Sequence, residues 1–218
     1  MARTVLSPAR RHDFEDANIG QIIIFCEGQT EKHYFGYFAA IIEKSSKFTD
    51  IVVEIEDAKG NARTVLNYAE GFIGAERNSR IYRDYGKYLA FDCDAPPDIQ
   101  EVILDAREKG RGYNILVSNR FFETWLLMHF EEVDREIGKR EVYRRLKEHL
   151  HKKRYEKARK GTIREIIQNG SVERAIDNAK RLQSRYASEG MSIYGSIDKM
   201  NPYTSIHTLV EQFMVAIS

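Results

Sequence analysis

The chain has 218 residues, of which 42% are hydrophobic, 11% aromatic and 31% charged, with a formal net charge of +1; this excludes a disordered chain and allows one sizeable core with room for a small second lobe. No apolar run approaches the roughly 20 residues that cross a bilayer, and no apolar segment of the signal-peptide kind precedes Arg10 and Arg11, so neither membrane insertion nor secretion is expected. Cys26 and Cys93, the only cysteines, make neither a disulfide framework nor a zinc site; both read as small buried hydrophobes, and a soluble protein of the reducing cytoplasm is expected.

Residues 1–19 are polar, basic and unpatterned, which predicts a loose arm. The run Ile22-Ile23-Ile24-Phe25-Cys26 then reads as a strand buried on both faces, the mark of a central parallel strand. Gly28 breaks it, Thr30 is a candidate cap, and Phe35, Phe38 and Ile42 form one helical stripe. Ile51 to Ile55 is a second strand, and residues 61–76 a helix with Val65, Leu66, Ala69 and Phe72 inward. A third strand, Tyr88 to Phe91, runs into Asp92-Cys93-Asp94, and Pro96-Pro97 precede a helix that turns Val102, Ile103 and Ala106 inward. Tyr113 to Val117 is a fourth strand ending at Ser118-Asn119, and an aromatic-rich helix over 121–130 carries Trp125, expected in the core. Helices follow at about 139–155, 171–187 and 204–216, with no convincing strand among them.

Alternating strands and helices over the first 130 residues predict an α/β fold: a mostly parallel sheet of about four strands with helices on both faces. The expected division is a basic arm (1–19), an α/β core (20–135) and a helical C-terminal extension (136–218) that packs on the core or forms a small lobe.

In such a sheet ligands bind outside the carboxyl ends of the strands. Glu27 follows the first strand, Asp92 and Asp94 the third, Ser118 and Asn119 the fourth. Asp92 and Asp94 are two residues apart and point to one side of an extended segment. Carboxylates gathered at one edge repel unless their pKa values rise or a hard divalent cation joins them; Mg²⁺ or Mn²⁺ suits such a site and can act on a phosphodiester. Isolated acids after a strand are common as helix caps, so it is their joint placement that carries the expectation. Glu31, Asn119 and Glu123 form a second tier: Glu31 is placed to reach the site or to favour a helix N-terminus, and Asn119 and Glu123 stand at the fourth strand's exit. His129 reads as a packing or hydrogen-bonding histidine.

Four motifs, in order, resemble those of the RloB-like family: Cys26-Glu27-Gly28-Gln29-Thr30-Glu31 with Tyr34-Phe35, Phe91-Asp92-Cys93-Asp94, Ser118-Asn119 through Phe122-Glu123-Thr124-Trp125 to His129-Phe130, and Asn201-Pro202-Tyr203-Thr204 with His207 and Leu209. The resemblance spans about residues 20–216 and implies a Toprim-like domain of the Rossmann-like class, in proteins found with prokaryotic restriction and anti-phage defence systems, often beside an ATPase partner. Carried over, it implies Glu27 as general acid/base and metal ligand, with Asp92 and Asp94 holding Mg²⁺ or Mn²⁺. The chain departs from the family at Ala95, where many relatives carry a further acid, which leaves one or two metals open, and at Arg120, where they carry proline.

Between residues 139 and 160 eleven Lys or Arg face three Glu, a local net of +8, interleaved with Tyr143 and Tyr155. Arg140, Arg144, Arg145, Lys152, Lys153 and Arg154 are therefore expected to track a DNA or RNA backbone; a solvated helix or an acidic protein partner accounts for the same composition. The resulting expectation is a metal-dependent nuclease, against a non-catalytic nucleic-acid- or partner-binding subunit of a defence complex. A nucleotidyl transferase is a weaker third reading, and the chain is too short for a topoisomerase. DNA against RNA, and homo-oligomer against monomer, stay open.

Overall fold

The computed structural model describes residues 19–44, 51–93, 98–108 and 112–218. In chain order the elements are β1 (Gln21–Cys26), α1 (Gln29–Lys44), β2 (Val52–Asp57), α2 (Ala62–Gly74), α3 (Glu76–Ile81), β3 (Gly86–Asp92), α4 (Ile99–Glu108), β4 (Tyr113–Asn119), α5 (Glu123–Leu127), α6 (Lys139–His149), α7 (Lys160–Asn169), α8 (Val172–Ser188), a 3₁₀ turn (Ile197–Lys199), β5 (Tyr203–Thr204) and α9 (His207–Ile217). The sheet order is β2-β1-β3-β4-β5. Its first four strands are parallel, and β5 runs antiparallel to β4. The α/β class with a mostly parallel sheet is thus present.

The period of two along each strand splits the core between the two faces. Ile22, Ile24, Cys26, Ala90 and Leu116 belong to one apolar cluster, with residues of α1 and α5 to α9. Ile23, Phe25, Leu89, Phe91, Ile115 and Val117 belong to the other, with α2 and α4. β1 is covered on both sides, which is why its sequence is apolar without alternation. The extension beyond residue 136 shares the first cluster through Val142, Leu146, Ile163, Ile166 and Phe213, so it packs on the sheet. Tyr186 of α8 and Tyr203 of β5 reach the second cluster.

Several expectations need correction. The C-terminal part does contain a strand, β5, too short to show alternation. Ser205 extends its hold on β4, accepting from the Val117 N–H through its hydroxyl oxygen and donating to the Ile115 carbonyl, both at 2.9 Å. The helix expected over 139–155 stops at His149, where Leu150 buries and His151 takes a left-handed φ of 52°. Helix α7 is a further element not expected from the sequence: its stripe of Thr162, Ile163, Ile166 and Ile167 follows directly on the basic run. The helix expected over 61–76 divides at Ala75 into α2 and α3, capped at its start by Asn61. The helix expected over 121–130 is regular only from Glu123 to Leu127. Thr30 lies inside the first turn of α1 and caps nothing. Of the expected arm, residues 1–18 lie outside the described residues, and Ile19 is buried. Asp94 and Pro96-Pro97 also lie outside them.

Candidate functional site

β1 and β3 are neighbours, yet the chain leaves β1 for β2 on one side and leaves β3 for β4 on the other. The crevice at such a switch point, outside the carboxyl ends of the strands, is where open α/β sheets bind ligands. Glu27 is the first residue after β1 and Asp92 the last of β3. The Glu27 N–H donates to the Ala90 carbonyl at 2.9 Å, and Glu27 Oε2 accepts the Asp92 N–H at 2.9 Å. This exchange ties the first carboxylate to the backbone of the neighbouring strand. Asp92 alternates with Phe91, so it stands on the face of Ala90, the face covered by α1 and α5.

Those two helices supply two more acids. Glu31, in the first turn of α1, is 5% exposed, and Glu123, which opens α5, is fully buried. Gly28 lets the β1–α1 turn pass close under Glu31: a Cβ there would stand 3.2 Å from Glu31 Oε2. Burial pushes the Asp92 carboxyl well above the ordinary range, and the charges of Glu31, Glu27 and Glu123 push it further. Burial likewise lifts Glu31 to about 7; Glu123 and Glu27 add to the rise, while its backbone hydrogen bond and Lys157 oppose it. Four carboxylates therefore meet at one site, and their charges add to burial in disfavouring ionisation of Asp92 and Glu31.

The cation beside them is Lys157, from the loop joining α6 and α7, whose Nζ lies 3.5 Å from Glu123 Oε1. Burial works against its charge, but Glu123, Tyr143, Asp92 and Glu31 outweigh burial and hold the ammonium above its ordinary pKa. Tyr143 and Tyr155 stand beside it with ring centroids 4.8 Å apart. Burial, then Glu123, pushes the Tyr143 hydroxyl up to about 12. Asp92 Oδ1, both Glu123 oxygens, Tyr155 Oη and Thr30 Oγ1 are buried with no hydrogen-bond partner among the described residues. An unsatisfied buried oxygen costs about 1–3 kcal/mol, so several together mark a polar network completed by something else, such as water, a cation or a ligand.

The donors are hard carboxylate oxygens of the kind Mg²⁺ and Mn²⁺ take, and the partnerless Asp92 Oδ1 is such a donor. Among the described residues, however, no group of three His, Cys, Asp or Glu converges to hold an ion by itself. Mg²⁺ needs only one or two carboxylates with its waters, so Asp92 with one neighbour fits it. Sequence reasoning did not single out Lys157, which sat unmarked within the basic run.

The other expected residues are placed as follows. The Asn119 amide donates to the carbonyls of Ile197 at 2.6 Å and Met200 at 2.7 Å, clamping the 3₁₀ turn to β4. In the basic segment, Arg144 is held by Glu141 and Glu148, Arg145 by Glu131 and Glu141, Lys152 by Glu165 and Arg154 by Glu156. Arg140 and Lys153 are exposed, with no ion-pair partner among the described residues. Glu141, Glu148 and Glu156 belong to the segment itself; the acids brought in from outside it are Glu131, Glu165 and Glu123, which lower its net charge from +8 to +5. His129 is a core group: Tyr34 Oη lies 3.0 Å from its Nε2 and the Trp125 carbonyl 3.1 Å from its Nδ1.

No helix among the described residues is long and apolar enough to cross a membrane. No curated protein and no solved structure matches the chain. The family model described as RloB-like protein matches residues 22–213, from the first residues of β1 into α9. The order of motifs, the sheet they build and this match lead to one conclusion: the chain belongs to the RloB-like family.

Proposed function

We propose that the protein is a metal-dependent phosphodiesterase acting on DNA or RNA, with its reaction centre at Glu27, Asp92 and Glu123 beside Glu31. The observation that carries this reading is the group of carboxylates gathered at the β1–β3 switch point, where burial and neighbouring acids raise Asp92 and Glu31, and where Asp92 Oδ1 and Glu123 Oε2 have no hydrogen-bond partner among the described residues. Asp92 with Glu27 would hold Mg²⁺ or Mn²⁺, joined by Asp94, and the ion would supply Lewis-acid stabilisation of phosphate charge and a more acidic bound water. Glu27 is kept in register by the Asp92 N–H and serves as the proton-handling carboxylate that the family resemblance implies. Lys157 supplies one counter-charge to the cluster and orients Glu123. A place in prokaryotic anti-phage defence beside an ATPase partner rests on the family resemblance and is part of the proposal.

A second reading, a non-catalytic binding subunit, is favoured by the ion pair that already compensates Glu123 and by the absence of a convergent three-ligand set among the described residues. The deciding experiment incubates single- and double-stranded DNA, RNA and tRNA with Mg²⁺ or Mn²⁺, using wild type, Glu27→Ala and Asp92→Ala, with and without the neighbouring ATPase. Cleavage by wild type that falls at least a hundredfold in both variants is expected. No cleavage under any condition turns the conclusion to the binding subunit.

A further inference from the structure

We infer that the groove between α1 and α7 is a nucleoside-phosphate seat, and that it, rather than the 139–154 segment, holds the nucleic-acid strand beside the acidic site. The two helices pack together and leave a cavity of about 350 Å³. Roughly 300–1,000 Å³ is the range of small-ligand sites. One wall is apolar and aromatic, from Tyr37 and Ile41; Ile41 is 36% exposed, a large apolar side chain left to solvent. The rim carries three cations, Lys44, Lys160 and Arg164, all exposed and none with an ion-pair partner among the described residues. His33 also lines it, with Nδ1 buried and unpartnered among the described residues. Lys160 is the first residue of α7, whose start has no side-chain cap, so the positive end of that helix adds to the rim.

Three cations without ion-pair partners among the described residues around one small cavity suit a polyvalent anion, and phosphate is one that lysine and arginine recognise together. A bare anion would leave the Tyr37–Ile41 wall uncovered, whereas a nucleobase on an aromatic face stabilises by about 1–3 kcal/mol without regard to sequence. Position supports the same ligand. From His33 to Lys44 α1 rises about 16 Å, and the acidic residue Glu31 lies just before His33 on the same helix. Lys157, which pairs with Glu123, lies three residues before Lys160. The groove and the acidic site are thus neighbours along both α1 and the chain that leads into α7, on different faces of α1. The contrast with the basic segment is one of supply: Arg144, Arg145 and Lys152 are already engaged by Glu141, Glu148, Glu131 and Glu165, and the groove cations are not.

This inference deepens the phosphodiesterase reading by seating its substrate, and its test is independent of cleavage. Binding of a fluorescein-labelled single-stranded oligonucleotide is read by polarisation in EDTA, and adenosine monophosphate binding by calorimetry. Wild type, Lys160→Glu/Arg164→Glu, Lys44→Glu and the remote control Arg83→Glu are compared, each checked for an unchanged melting temperature. The double variant is expected to weaken binding at least tenfold and to make its salt dependence shallower by about 0.7 per removed cation, with Lys44→Glu intermediate and Arg83→Glu unchanged. Loss of both probes identifies a seat for the strand, and loss of the mononucleotide alone a free-nucleotide site; both support the seat. Wild type binding neither probe, or folded groove variants binding both as wild type does, overturns it. Should the double variant not fold, Lys44→Glu carries the same decision alone. Binding retained in Glu27→Ala while cleavage is absent from all proteins would defeat the phosphodiesterase reading and leave the seat standing.

Discussion

Glu31 shows most directly what the fold does to a single group. Its ordinary pKa of 4.5 is raised to about 7, chiefly by burial. Between those values the folded protein binds more protons than the unfolded chain, so stability falls as pH rises from about 4.5 to 7 and levels off above. The loss attributable to this residue is at most about 3 kcal/mol, since its neighbours share the proton. Glu31→Gln is therefore expected to be more stable than wild type at pH 8 and nearly equal to it at pH 4; denaturant midpoints at the two pH values measure this, and equal slopes for both proteins would contradict it. Burial acts in the opposite sense on His129, whose pKa falls to about 4, so the ring is neutral. Its Nδ1–H then donates to the Trp125 carbonyl and its Nε2 accepts from the Tyr34 hydroxyl. Tyr34→Phe strands that nitrogen in the core and is expected to cost about 1–3 kcal/mol, read as a lower denaturant midpoint.

At the scale of elements, the junctions carry the specificity. α7 gives way to α8 at Gly170, and a Cβ there would lie 2.7 Å from His129 Cβ and 2.9 Å from the Ile166 carbonyl. Both neighbours are held, so Gly170→Ala is expected to destabilise by about 1–3 kcal/mol, lowering the melting temperature by several degrees. β5 is only two residues long, and the Ser205 hydroxyl supplies the next two bonds to β4. Ser205→Ala leaves the Val117 N–H and the Ile115 carbonyl unsatisfied and is expected to lose about 1–3 kcal/mol, with faster amide exchange along the β4 edge as the accompanying sign. A melting temperature within a degree of wild type would show that the edge needs no such clamp.

For the whole molecule, the two apolar clusters make one body of the sheet and the C-terminal helices, and the site lies where both halves of the chain meet. Glu27, Glu31 and Asp92 come from the α/β half, Glu123 from the helix after β4, and Lys157 from the extension. Losing the lysine removes the counter-charge of a fully buried carboxylate. Lys157→Ala is expected to destabilise the protein at neutral pH and to be partly rescued by millimolar Mg²⁺ or Mn²⁺, read as a larger metal-induced rise in melting temperature than wild type shows; Lys157→Ala with no metal response would argue against a cation site.

Much of this was legible along the chain because it is local or periodic. The apolar run at residues 22–26, the alternation that sets Asp92 apart from Phe91, and the ordered motifs of the RloB-like family name the sheet, its acidic edge and the family. Helix α7 and strand β5 escaped, the first beside a basic run and the second because two residues carry no pattern. Tertiary structure alone decided which charges remain available. Ion pairing depends on side chains brought together from distant segments: Glu123, Glu131 and Glu165 enter the basic segment from outside and engage Lys157, Arg145 and Lys152, while Lys44, 116 residues before Lys160, is gathered with Lys160 and Arg164 at one groove. It also decided that Glu31 and Glu123, 92 residues apart in the sequence, are buried against Asp92, because desolvation is a property of the packed core and not of any segment within it.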